Sequence, residues 1–191
     1  MPKQLTVPDD LIKEATIRAR DQEEIYGHNT GHFSLPVEKE NTIIGVLGEL
    51  LVANYIRENL IPAKQQFTVE LCPLGSEFDL MVTTFSRVRY IHVKSGLWKQ
   101  WPQPNWHFGI HADQGIETSG APLVLVTFLK TVRQFPSVAR IEGFITNDQL
   151  LSKPIIRKGM KFPSTGVLSR TDNILTKFQN YLDIEELIEA I

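Results

Sequence analysis

Hydrophobic and polar positions change their period about a third of the way along the chain. Pro8 with Asp9 and Asp10 reads as a helix start, because proline is tolerated in a first turn and acids there complement the helix dipole. Leu11, Ile12, Ala15 and Ala19 then recur at helical spacing as far as about Tyr26. Gly27 to Pro36 (GHNTGHFSLP) holds two glycines, a proline and small polar residues, and reads as a loop. The segment from about Lys39 to Leu60 is the strongest helix of the chain, with Asn41 or Thr42 able to cap it. Its apolar residues, from Ile43 to Ile56, cover more than one face, which implies burial between other elements. Pro62 closes it.

Beyond this point the period is 2. Phe67 to Leu71, Glu77 to Thr84, Val88 to Lys94, Trp106 to Ile110, Leu123 to Leu129 and Ile141 to Ile145 are short runs rich in β-branched and aromatic residues, separated by Gly, Pro and Ser. A sheet of five or six strands follows, with a hairpin joining the second and third runs. Asn147 or Asp148 caps a short helix over Gln149 to Leu151. Asp183 to Ile191 reads as an acidic amphipathic helix carrying Ile184, Leu187, Ile188 and Ile191 on one stripe. The layout is α/β, a mixed central sheet flanked by helices.

With 191 residues, 42% of them apolar and 22% charged, the chain has the composition of one globular domain. We divide it into an N-terminal helix and loop (1–38), a core (39–151) and a C-terminal extension (152–191). No apolar run approaches the roughly 18 residues of a bilayer span, and MPKQLTVPDDLIKEA is charged within its first ten residues. A cytoplasmic protein without membrane contact is expected. The single Cys72 fits a reducing compartment.

The net charge of −2 speaks against a polyanionic partner until the charges are placed along the chain. Leu80 to Lys161 carries eleven Lys or Arg against four acids, hence +7, and the remainder carries nine against eighteen, hence −9. Between Leu80 and Ala112 there is no acid. Such a split describes a basic working surface on an otherwise acidic chain; the alternative is a chance grouping of solvated faces.

Alternation decides which polar residues can meet. In EFDLMVT, Phe78, Leu80 and Val82 point one way and Glu77, Asp79, Met81 and Thr83 the other; in VRYIHVK, Ile91 and Val93 oppose Tyr90, His92 and Lys94. If the apolar sets share the core face, Asp79 lies beside His92 and Lys94 on adjacent strands. That trio can hold a divalent cation and a phosphate oxygen together, the lysine orienting water or offsetting charge in the transition state. Glu49 is the other unusual residue, inside a helix apolar nearly all round, between Gly48 and Leu50. A carboxylate there needs a cation or a hydrogen-bond partner; the plainer reading is that it reaches solvent or pairs with a nearby base. Gly45 and Gly48 would let the helix backbone approach a strand closely.

The runs GVLGELLVANYI, GSEFDLMV and RYIHVKSG together resemble the PD-(D/E)XK nuclease superfamily, over roughly Asn41 to Gly96. The resemblance implies a restriction-endonuclease-like fold and a metal-dependent endonuclease that hydrolyses phosphodiester bonds in DNA. By position, Glu49 matches the helix acid, Asp79 the metal aspartate and Lys94 the lysine, with magnesium or manganese as cofactor and no nucleotide cofactor. His92 stands where the family usually has Glu, Asp or Gln. Three readings of it stay open: a ligand for a softer metal, a general base, or the mark of a degraded site that only binds nucleic acid or a protein partner. Glu77 is the additional acid able to supply the missing carboxylate. Restriction-like nucleases commonly act as homodimers, and the apolar stripe of the C-terminal helix offers one such contact.

Trp98, Trp101 and Trp106, with Lys99 among them, form an aromatic and basic segment able to stack on bases; packing over a sheet edge or in an interface accounts for them equally well. Arg87, Arg89, Arg157 and Lys158 are candidate phosphate contacts, or solvated loop residues. His28 with His32, and His107 with His111, have i, i+4 spacing that would suit zinc on a helix, but glycines interrupt both segments. A G-x-S-x-G nucleophile motif and a glycine-rich phosphate loop are both absent from the sequence.

Overall fold

Small apolar residues on one side of the first helix set how the fold begins. The computed structural model describes residues 1–30, 36–60, 67–73, 76–112, 120–130, 135–163 and 165–191, the side chains of 23–30 and 36–40 excepted. A short strand, β1 (Lys3–Thr6), leads into α1 (Asp9–Thr30). Leu11, Ala15 and Ala19, four residues apart, are buried, and the two alanines let α1 lie close against α2 (Pro36–Leu60). The helix runs through Gly27 to Thr30, where the sequence suggests a loop. One interior glycine costs about 1 kcal/mol, less than abandoning a helix already under way; residues 31–35 and Pro62 lie outside the described residues. Pro36 opens α2 rather than ending a loop, the position where a missing N–H costs nothing. Asn41 and Thr42 therefore sit inside the helix and do not cap it.

Six strands make the main sheet, in the order β1-β7-β6-β4-β3-β2. They are β1, β2 (Phe67–Leu71), β3 (Leu80–Thr84), β4 (Val88–Trp98), β6 (Leu123–Leu129) and β7 (Val138–Ile145). β2, β3 and β4 form an antiparallel meander, β4 and β6 pair in parallel, and β7 pairs antiparallel to both β6 and β1. The run read at Trp106 to Ile110 becomes β5 (His107–His111) and leaves this sheet. It joins β8 (Ile155–Ile156) and β9 (Asn173–Lys177) in a separate three-stranded sheet.

Two cores result. Helices α1, α2 and α4 (Ile184–Ala190) cover one face of the main sheet over Leu80, Val82, Ile91, Val124, Val126 and Ile141. On the other face Leu123 and Ile145 meet Ile110 and Ile174 of the small sheet, with Leu150 from α3 (Asn147–Leu151). Ile184, Leu187, Ile188 and Ile191 are all spent in the first core, so the C-terminal helix does not offer its apolar stripe to a second copy. α3 is capped by Thr146, not by Asn147 or Asp148: Thr146 accepts from the Gln149 N–H and the Gln149 side chain accepts from the Thr146 N–H, a reciprocal capping box. Gly143, at φ +130°, lets β7 pass a bulge opposite Leu125 and Val126; a Cβ there would collide with the Leu182 carbonyl. Among the described residues no helix is long and apolar enough to cross a membrane.

Candidate active site

β4 changes partner at His92. Up to Ile91 it pairs with β3, and from His92 onward with β6. The Asp79 N–H still donates to the Ile91 carbonyl at 3.2 Å, but past that point the β3 side of β4 has lost its strand neighbour. Asp79 answers the break with its side chain, Oδ2 accepting from the Val93 N–H at 2.7 Å. The carboxylate is thus fixed where the sheet opens, 3.9 Å from His92 Nδ1. His92 itself is only 1% exposed. The Phe78 ring covers it at 5.3 Å and stacks on Tyr90 at 4.4 Å, leaving the alternation that would have put Phe78 in the core. Burial holds the His92 pKa below its ordinary value; Asp79 and Glu77 pull it up and Lys94 pushes it down.

Glu49 reaches the same place from α2. A Cβ on its neighbour Gly48 would stand 1.9 Å from the Ser95 hydroxyl, so at this point the helix backbone rests directly on β4. Around Gly45 there is open space, so only one of the two glycines is needed for the approach. Glu49 and Asp79 line one cleft of about 660 Å³, together with Phe78, Ser76, Arg18 and Asp21. Desolvation first, then the charge of Asp79, pushes the Glu49 carboxyl up to about 8; Lys94 and Arg18 pull it partly back. Lys94, paired with Leu125 of β6, acts electrostatically on both Glu49 and His92; of the sequence-derived set, Glu49 and Asp79 line the cleft, and His92 and Lys94 are not among its lining residues. Glu77 is exposed and acts on His92 from outside the cleft's lining.

The remaining candidates lie elsewhere. Arg87 and Arg89 are exposed at the turn end of the β3–β4 hairpin, away from Asp79. Trp98 packs against Trp106 at 5.9 Å and edge-on to Phe178 at 5.5 Å, and Trp101 lies beneath the Arg140 guanidinium at 4.9 Å. Lys99 is exposed just beyond β4. Arg157 pairs with Asp172 at 2.6 Å, and the Lys158 N–H also donates to that carboxylate, so part of this basic cluster is already offset. His107 and His111 sit on a strand, not a helix, and His32 lies outside the described residues.

Arg18 is the functional candidate that sequence reasoning missed. It is the one cationic side chain in the cleft's described lining, held by Glu14 through Nε at 3.0 Å and Nη2 at 2.9 Å. Its spacing on α1 carries no signal, because only the packing of α1 on α2 brings it over Glu49. Among the described residues no three His, Cys, Asp or Glu side chains converge as a ready metal set. Of the three carboxylates that line the cleft, Asp21, Glu49 and Asp79, the coupled pair Glu49 and Asp79 fits a hard cation of the magnesium type, which takes one or two carboxylates and fills its remaining positions with water and phosphate oxygens. Compared with known proteins, the chain matches no family model and no curated sequence.

Proposed function

We propose that the chain is a divalent-metal-dependent nuclease of restriction-endonuclease-like fold, hydrolysing phosphodiester bonds in DNA. The observation that carries this reading is the convergence of Glu49 and Asp79 in one cleft, under the influence of Lys94. The order of elements agrees with it: a helix bearing the acid, a three-stranded meander bearing Asp79 and Lys94, then a strand parallel to the third.

Glu49 and Asp79 would hold the cation, magnesium or manganese, which would supply charge to polarise the phosphoryl group and make bound water more acidic. Glu49 would give up its proton to serve as a ligand, since a ligating carboxylate is deprotonated. Lys94 supplies positive charge where the pentacovalent phosphorus gathers negative charge, and Arg18 clamps a non-bridging phosphate oxygen from the opposite wall. The Val93 amide fixes the orientation of the Asp79 carboxylate, and His92, roofed by Phe78, stands 3.9 Å behind it.

The test is cleavage of plasmid and branched DNA with magnesium or manganese, alongside Asp79→Ala and Lys94→Ala. Both variants should lose cleavage and keep most of their binding. A second reading draws on His92 standing in place of a carboxylate, and on the absence among the described residues of three acid, His or Cys side chains grouped closely enough to hold a metal: a module of the same fold that binds nucleic acid without cutting it. Binding that is salt-sensitive, survives Asp79→Ala and is accompanied by no cleavage with any divalent metal would establish that reading instead.

A further inference from the structure

The β2–β3–β4 meander is covered by α2 on one face. On the other it presents, among the described residues, an uncommon run of exposed apolar side chains. The Thr84 N–H and Oγ1 both donate to the Arg87 carbonyl, at 2.9 and 3.2 Å, and close a tight turn with Phe85 and Ser86 at its tip. Phe85 is 96% exposed, Val88 48% and Tyr90 40%. The strip meets the cleft through Phe78, which stacks on Tyr90 and lines the cleft beside Asp79. Rings thus stand at both ends of one strip, one end free in solvent and the other at the reacting centre.

We infer that this strip is a stacking platform for unpaired bases next to the scissile phosphate, so that the substrate class is DNA carrying a single-stranded segment at the cut. The inference rests on the nuclease reading and specifies its substrate. Bases within a duplex already stack on both faces, whereas unpaired bases offer theirs to aromatic side chains. The charge of the segment suits a polyanion: Leu80 to Ala112 contains no acid and carries Arg87 and Arg89 at the turn end of the hairpin, on the face opposite Val88 and Tyr90. Glu70, opposite Met81, is an acid on β2, two strands away from β4. From Asp79 to Phe85 is six residues, about 20 Å at 3.4 Å each, the length of about six stacked nucleotides.

The experiment is fluorescence anisotropy in EDTA, so that nothing is cut, on labelled duplexes bearing zero to ten unpaired nucleotides. Affinity should rise with the unpaired length to about six and then level. Phe85→Ala should lower the affinity for the tailed substrate roughly five- to a hundred-fold and leave the blunt duplex unchanged. Tyr90→Ala should do the same while Tyr90→Phe, which keeps the ring over Phe78, restores binding; this separates stacking from a loosened fold. Equal affinity for blunt and tailed DNA, or ring variants without effect, would overturn the platform while leaving a cutting enzyme intact. Wild-type protein that binds no DNA at low salt would remove the nuclease reading and the platform with it.

Discussion

The two halves of the main sheet are built for different neighbours. In β6, LVLVTFL, every residue but the last is buried, because helices cover one face and the small sheet the other. In β3, LMVTT, burial alternates, and only Leu80, Val82 and Thr84 are inside. A continuous apolar run marks a strand covered twice and an alternating one a strand covered once. The candidate site lies at the seam between the halves, where β4 leaves one partner for the other. A carboxylate there has rigid support on one side and an open cleft on the other.

The largest test of this division concerns activity. Asp79→Ala should reduce metal-dependent cleavage about a thousandfold or more, measured as initial rates, with thermal stability nearly unchanged because only the Val93 amide loses a partner. Next, Phe128→Ala in the doubly covered half should destabilise by about 3–5 kcal/mol, whereas Phe85→Ala in the open half should stay within about 0.5 kcal/mol. Denaturant unfolding compares the two directly; similar losses would mean the open half is covered after all.

A smaller effect follows from the carboxyl of Glu49, raised from 4.5 to about 8. Between those values the unfolded chain has released the proton and the folded chain keeps it. Stability is therefore full below about pH 4.5 and declines as pH rises to about 8, by an order of a few kcal/mol. Glu49→Gln should flatten that decline in metal-free buffer, read as melting temperature against pH. The smallest effect is expected at Ser95, whose buried hydroxyl has no hydrogen-bond partner among the described residues. Ser95→Ala should leave stability unchanged or raise it by about 1 kcal/mol.

Much of this was legible in the residues. β2 and β6 fall at the expected bounds, because their periodicity is unbroken and Gly, Pro or polar residues flank them. Alternation sets Asp79 beside His92, and the two lie 3.9 Å apart although the regular β3–β4 pairing ends at Leu80 and Ile91. Short strands escaped: β1, with four residues, and β8, with two, exist only because a longer strand offers its edge. β9 escaped as well, although NILTK is almost wholly buried, since nothing local announces the small sheet it completes. Asn147 and Asp148 are the commoner cap residues, but the pairing of Thr146 with Gln149 three positions later marks the cap that forms. Parity puts Phe78 in the core, and only the end of regular pairing at Leu80 frees it to cover His92. Arg18 required knowing how two helices pack.

The hydrogen bond from the Val93 amide to Asp79 has one more consequence. It is a backbone group whose protection against solvent exchange depends on a single side-chain oxygen, in a strand where the flanking residues are held by ordinary ladders. Anything that draws that oxygen away, whether a cation, a proton or a substitution, releases this one proton to deuterium while the rest of β4 stays protected. Occupancy of the site can thus be followed as the exchange rate of one amide, without a substrate and without turnover.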